Sequence, residues 1–276
     1  MTDLRQVPLR TAAGMALAAA FYLSPAPAPA QDVPVDLELI LAVDVSGSMD
    51  FEELQVQRRG YVEALKHPEV IEAIESGIFG RIAVTMVEWA GDYSQRVVMP
   101  WRMIDTEADA IAASDTVAAQ PVDNMRGTSI TGLLDYTREM FDGNGFEGTR
   151  QVIDISGDGP NRSGGPVTAA RDRTVARGIV INGLPIVLKP GIWATSSLTP
   201  EQLEIYYEDC VIGGFASFII GVREQEELVT AIRRKMILEI ALSQPRIMPA
   251  QLYTPVPRID CQIGERLWQQ QRMFIE

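Results

Sequence analysis

The sequence predicts an α/β fold: a doubly wound, mostly parallel six-stranded sheet with helices on both faces. Three observations predict it. Short apolar runs alternate with stretches of helical period, and nearly every connection between runs is long enough to hold a helix. Only one connection, around Gly91-Asp92, is short enough for a hairpin.

The first run, Leu37 to Val43, is broken only by Glu38, the pattern of a strand covered on both faces. From Phe51 to Leu65 the positions Leu54, Tyr61, Val62 and Leu65 share a helical face, and His67-Pro68 ends it. Arg81 to Trp89 reads as a second buried strand, with Gln95 to Trp101 as its antiparallel neighbour. Helical periods follow at 106–118 and 129–142, then a strand at 151–155, helix 166–177, strand 179–187, helix 200–207, strand 216–222 and helix 224–242. Beyond Gln244 the pattern is less regular, although Leu267 to Phe274 fits a short amphipathic helix.

With 276 residues, 46% hydrophobic and 22% charged, the chain suits one α/β core with terminal additions. The net charge of -13 is spread without a long single-sign run, which makes nucleic acid and anionic membranes poor partners and a cation a good one. Residues 1–30 read as a secretory signal. Arg5 and Arg10 precede an apolar run from Thr11 to Leu23, and Ala28-Pro29-Ala30 offers a small-x-small cleavage site. The alternative is an uncleaved anchor, although the run is short for a bilayer. The expected organisation is therefore a signal at 1–30, a core at 31–242 and a C-terminal extension at 243–276 packed on or tied to the core, in a periplasmic or secreted protein without membrane insertion. Export favours pairing of the two cysteines, Cys210 and Cys261, over two separate buried thiols. Such a loop of about fifty residues stabilises by very roughly 4 kcal/mol on the chain-entropy model.

In an open parallel sheet, ligands gather where the carboxyl ends of strands turn into helices. Two acidic loops fall at such ends: Asp44-Val45-Ser46-Gly47-Ser48 and Gly157-Asp158-Gly159-Pro160-Asn161. A third, Arg126-Gly127-Thr128-Ser129, leads into the helix before the second of them. Ser46, Ser48 and Thr128 offer neutral oxygens while Asp44 and Asp158 offer charge, a donor set for a hard cation such as Mg²⁺, with Mn²⁺ or Ca²⁺ as alternatives. No thiolate is in reach and the chain has one histidine, which disfavours zinc. Gly47, Gly127, Gly157 and Gly159 are expected to let the backbone turn tightly between ligands.

Asp44-Val45-Ser46-Gly47-Ser48-Met49 resembles the D-x-S-x-S motif of von Willebrand factor A domains, the metal-ion-dependent adhesion site. Gly127-Thr128 resembles that family's second loop and Asp158-Gly159 its third, so the resemblance runs from about Leu37 to about Leu242. It implies Ser46, Ser48 and Thr128 as direct ligands, Asp44 and Asp158 as charge-balancing ones, and an Asp or Glu of a partner protein as the group that completes the shell. It implies binding rather than catalysis.

Other residues have plainer readings. Ser48 or Asp50 would cap the helix at 51–65 if no ion binds. Glu88 is either an outer acceptor beside the ion or a carboxylate bonded to a loop, Asp154 needs a cation such as Arg150 or Arg81, and Trp89, Trp101 and Trp193 are core or rim aromatics. The rival enzyme class is a Mg²⁺-dependent phosphatase of the haloacid dehalogenase type, but Ser46 stands where its acid-base Asp belongs and Arg162 where its last loop Asp belongs. A Ser-His-Asp triad would need His67, and no G-x-S-x-G elbow or P-loop is present. An interaction domain without metal is the third reading.

Overall fold

The computed structural model describes residues 31–188, 198–241 and 258–273; the expected signal segment and Trp193 lie outside them. Strands β1 (Val33–Val35), β2 (Leu37–Asp44), β3 (Ile82–Trp89), β4 (Gln95–Ile104), β5 (Phe146–Gly148), β6 (Gln151–Gly157) and β7 (Val180–Pro185) form two sheets. The central sheet has five strands in the order β4-β3-β2-β6-β7, with only β4 antiparallel. β1 and β5 make a small parallel pair that no sequence period announces, each being three residues long.

The expected sixth strand is corrected to an irregular edge. Segment 216–222 touches the sheet only through isolated bridges, Gly183 to Ile219 and Ile186 to Val222. Gly214 before it and Ala216 at its start turn the backbone to positive φ (95° and 58°), and the Phe218 N–H donates to the Asn182 side chain at 2.9 Å rather than to a strand carbonyl. A ladder cannot propagate through those two departures.

The α-helices among the described residues are α1 (Phe51–Leu65), α2 (Pro68–Glu75), α3 (Glu107–Ala118), α4 (Ile130–Thr137), α5 (Val167–Val175), α6 (Pro200–Tyr206), α7 (Gln225–Ala241) and α8 (Ile263–Met273). Alternation along β2 divides the core. Leu37, Leu39, Leu41 and Val43 pack with residues of α1, α2, α3 and α7, whereas Ile40 and Ala42 pack with residues of α4, α5 and α6. Helices therefore cover both faces, and every residue of β2 is buried. Pro68 ends one helix and begins the next: it sits in the first turn of α2, where its missing N–H is not needed, and His67 Nδ1 caps that helix by accepting from the Glu69 N–H.

Inside the core, Asp154 finds Lys235 rather than Arg150 or Arg81. The Lys235 ammonium donates to Asp154 and, at 2.6 Å, to Glu239, whose other oxygen accepts from Asn182 at 2.8 Å. Burial works against the charged lysine, but the two carboxylates outweigh it and raise its pKa.

A π-helical turn, Tyr207–Val211, carries Cys210, which is joined to Cys261 with a Cα–Cα distance of 5.4 Å. Beside it Arg258 bonds Asp209, at 2.8 Å between Nη2 and Oδ1. The C-terminal extension is thereby fixed on the core, and its helix begins four residues earlier than the amphipathic stretch read from sequence.

Replacing Lys235 by Met strands two carboxylates in the core, so Lys235→Met is expected to lose about 3–5 kcal/mol of stability in urea unfolding. A loss under about 1 kcal/mol, the scale of an exposed pair, would show that the cluster does not act as a buried ion pair.

Candidate metal centre

β2 and β6 are parallel neighbours, with Val43 opposite Ser156, so Asp44 at the end of one and Asp158 just past the other come to the same edge of the sheet. Asp44, Ser46 and Thr128 are buried, with Asp44 fully enclosed. The Ser46 N–H donates to Asp44 Oδ1 at 2.7 Å, the Ser46 and Ser48 hydroxyls are 2.8 Å apart, and Ser48 Oγ donates to Asp158 Oδ1 at 2.7 Å. The first and third loops are thus linked oxygen to oxygen.

Backbone bonds bring in the second loop. Met125 N–H donates to Val45 O at 2.7 Å, Ser129 N–H to Ala90 O at 2.7 Å, and Arg162 N–H to Thr128 O at 2.9 Å. Gly127 takes the left-handed conformation (φ 91°), and a Cβ there would fall 2.9 Å from the Gly91 Cα, so this corner needs glycine twice over. Gly157 serves differently, by close approach: a Cβ would lie 2.7 Å from the Tyr207 hydroxyl and 3.0 Å from Asp44 Oδ2.

Capping leaves the hydroxyls to the site. Asp50, in a capping box with Glu53, caps α1, and Ser129 caps α4 by accepting from the Gly132 N–H at 3.0 Å. Neither Ser48 nor Thr128 is needed as a cap. Glu88 belongs elsewhere, between Arg58 and Arg96. Trp89 is in the core beside Gly157, and Trp101 is half-buried at the rim, donating to Met140 O at 3.0 Å.

Among the described residues no three His, Cys, Asp or Glu side chains converge, so the donors are two carboxylates and hydroxyls. One atom tests whether they fit a cation. Asp44 Oδ2 is buried and has no hydrogen-bond partner. Burial, then the neighbouring Asp158 charge, push the Asp44 carboxyl up to about 8, and burial pushes Asp158 up to about 6. A divalent ion meets an orphaned carboxylate oxygen and opposes both shifts, so the residues fit one. Sequence reasoning missed two neighbours. Tyr207 closes the floor, its buried hydroxyl unpartnered, and Trp268 of α8 joins Gly47, Ser48, Arg126, Gly127, Thr128, Arg162 and Ser163 around a cavity of about 380 Å³. Both belong to stretches with no motif; Trp268 lies in the expected amphipathic helix.

A model of a family described as a protein of unknown function, DUF1194, matches residues 34–244. The chain belongs to this family. No functionally curated protein matches it. Among solved structures, the DUF1194 chain is similar to proximal thread matrix protein 1 from the mussel byssus, in a form with a zinc-occupied MIDAS motif (17% identity, 77% of this chain, 50% of that one, TM-score 0.55). It is also similar to the pilus adhesin SpaC from Lactobacillus rhamnosus GG (11% identity, 76% of this chain, 31% of that one, TM-score 0.55). A von Willebrand factor type A structure from Catenulispora acidiphila matches as well (17% identity, 75% of this chain, 43% of that one, TM-score 0.50). This DUF1194 protein therefore has a von Willebrand factor A-like fold, and it spans half or less of the length of these structures.

The raised carboxyl values set a sign. A folded-state pKa above the unfolded one costs stability as the pH rises from the unfolded value through the folded one. Ion-free protein should therefore lose stability between about pH 4 and pH 8 from this pair, and saturating Mn²⁺ should remove the loss. Scanning calorimetry at several pH values, with chelator and with Mn²⁺, should show a gap that widens toward pH 8; a gap independent of pH would remove the coupled carboxylates from the account.

Proposed function

We propose that this chain is an exported, non-enzymatic protein-binding module that holds one divalent cation among Asp44, Ser46, Ser48, Thr128 and Asp158 and presents it to a carboxylate of a partner protein. The observation that carries the reading is the buried, unpartnered Asp44 Oδ2 beside a second, half-buried carboxylate, that of Asp158. A hard oxygen set of this kind suits Mg²⁺, which takes about six oxygens at roughly 2.0–2.1 Å, more than the chain's own side chains need to supply. When bound, the ion supplies positive charge to an oxygen from outside. The neutral hydroxyls of Ser46, Ser48 and Thr128 position without cancelling charge, which favours an anionic group as the last ligand.

Several features support binding over catalysis. His67 is occupied as the α2 cap and lies past the far end of α1, whose fifteen residues span about 22 Å. A phosphatase of the haloacid dehalogenase type needs a lysine beside its phosphoryl intermediate, but Lys235 is enclosed by Asp154 and Glu239, and Lys66, the other described lysine, stands at the far end of α1. Arg162 occupies the third loop where a haloacid dehalogenase needs an acid. A byssus matrix protein and a pilus adhesin share the fold, and their names point to extracellular attachment, an analogy of fold only. The residue pattern of 1–30 and the Cys210–Cys261 bridge support export to an oxidising compartment. No described helix is long and apolar enough to cross a membrane.

Calorimetric titration of chelator-treated protein with Mg²⁺, Mn²⁺, Ca²⁺ and Zn²⁺ tests the ion. One site is expected, lost in Asp44→Ala and Asp158→Ala. Saturation at about a hundred times the dissociation constant should stabilise the fold by roughly 2.7 kcal/mol. Absence of heat and of any melting shift with all four ions would defeat the reading. For the partner, capture from periplasmic extract should require the ion, fall strongly in Thr128→Ala and persist in Thr128→Ser, which keeps the oxygen. Thr128→Ala should cost only about 1 kcal/mol of fold stability, because Ser129 and not Thr128 caps α4.

A further inference from the structure

We infer that the cavity beside the candidate ion is a two-point acceptor for an acidic peptide segment bearing two carboxylates, one for the ion and one for Arg126, with Trp268 as its apolar wall. The inference rests on the ion-site reading above and names the partner's chemistry more closely.

Volume is the first argument. A single carboxylate on the ion occupies little of about 380 Å³, which has room for on the order of ten waters. Charge is the second. In a chain of net charge -13, the charged side chains lining this cavity are both arginines, Arg126 and Arg162. Arg162 is half-buried and lies in the field of Asp158 and Asp44, so its charge already serves the site. Arg126 is exposed, and its guanidinium makes no hydrogen bond or ion pair with a described residue. Its backbone is fixed all the same: its carbonyl accepts from the Gly91 N–H at 3.1 Å, and the positive φ of Gly127 follows it. A fixed backbone carrying an available planar fork suits a second carboxylate, which guanidinium binds in bidentate fashion.

The third argument is that the wall is built. Trp268 is 43% exposed, yet α8 is anchored on the third loop. Asn161 Nδ2 donates to Glu265 Oε1 at 2.7 Å, and Gly264 packs so closely on the Asn161 carbonyl that a Cβ would fall 1.9 Å from it. The Cys210–Cys261 bridge holds the start of the same segment. An indole held half-exposed beside two cationic groups covers the apolar stem of a bound peptide while the charges take its acids.

The test uses Mn²⁺-loaded protein and two sets of labelled synthetic peptides on a Gly/Ser background: one with a single Asp, the other with two Asp residues separated by zero to three positions. Wild type, Arg126→Gln, Arg126→Lys and Trp268→Ala are compared, each with Mn²⁺ and with chelator. For at least one spacing the second Asp is expected to tighten binding to wild type about ten-fold, the scale of one charge-assisted contact. Arg126→Gln should erase that gain with Mn²⁺ affinity unchanged, Arg126→Lys should keep part of it, and Trp268→Ala should weaken single-Asp and double-Asp peptides alike. If single-Asp peptides bind in an ion-dependent way but the second Asp adds nothing, or adds as much in Arg126→Gln, this inference is overturned and the ion-site reading stands. If Mn²⁺ binds and no peptide does, the two-point acceptor is likewise overturned. If Mn²⁺ does not bind at all, both readings fall together.

Discussion

Two carboxylates crowded together at the ends of adjacent parallel strands, one buried and one half-buried, are the constraint to which the rest of this site answers. β2 and β6 run side by side, so their ends emerge at one edge, with Asp44 enclosed there and Asp158 half-buried beside it. Two like charges cannot both ionise there without a counter-charge. The chain supplies part of it. Ser46 N–H and Ser48 Oγ donate to one oxygen of each carboxylate, and Arg162 lies within their field. Asp44 Oδ2 receives none of this, and the missing charge is of the size and hardness that a divalent cation has.

Keeping hydroxyls available for such an ion is a competition that the sequence settles locally. Serine and threonine just ahead of a helix ordinarily cap it. Here Asp50 and Ser129 take the two caps, each one or two residues nearer the helix than the site hydroxyl of Ser48 or Thr128. The starts of α1 and α4 lie next to the first and second loops, where the positive ends of their dipoles also oppose the buried negative charge. Cross-loop backbone bonds then fix three segments that are distant in sequence against one another, with Thr128 O as the acceptor that ties the second loop to the third.

What was legible follows from this. Strand ends and a D-x-S-x-S pattern are local signals, so the five central strands, the loops that hold Asp44, Ser46, Ser48, Thr128 and Asp158, and their common edge of the sheet could be read from residue order alone. Interactions set by distant partners could not. Asp154 has arginines near in sequence, but its cation is Lys235 on α7, eighty-one positions away. Glu88 carries no mark that distinguishes a neighbour of the ion from a residue held by Arg58. Segment 216–222 has the apolar character of a strand, but the positive φ of Gly214 and Ala216 and the Asn182 side chain, which takes the Phe218 N–H, break its pairing. Trp268 has no motif, and its place in the cavity wall depends on where the disulfide lands.

That disulfide stabilises more than the fold. Ile259, Cys261 and Ile263 of the C-terminal segment pack against one face of the core as partly buried residues, and a cross-link of this length adds about 4 kcal/mol on the chain-entropy model. Its location is the more informative fact. Cys261 stands two residues before α8, and α8 reaches Asn161, whose side chain accepts from the Thr131 N–H of α4 and whose own N–H donates to the Tyr206 hydroxyl. Asn161 is thus a junction at which the third loop, α4, α6 and the C-terminal helix meet, three residues from Asp158. An anchor that served stability alone could sit anywhere along the chain. One that ends on the loop of a charged site fixes the shape of that site's wall, so the extension belongs structurally to the edge of the domain that carries Asp44 and Asp158.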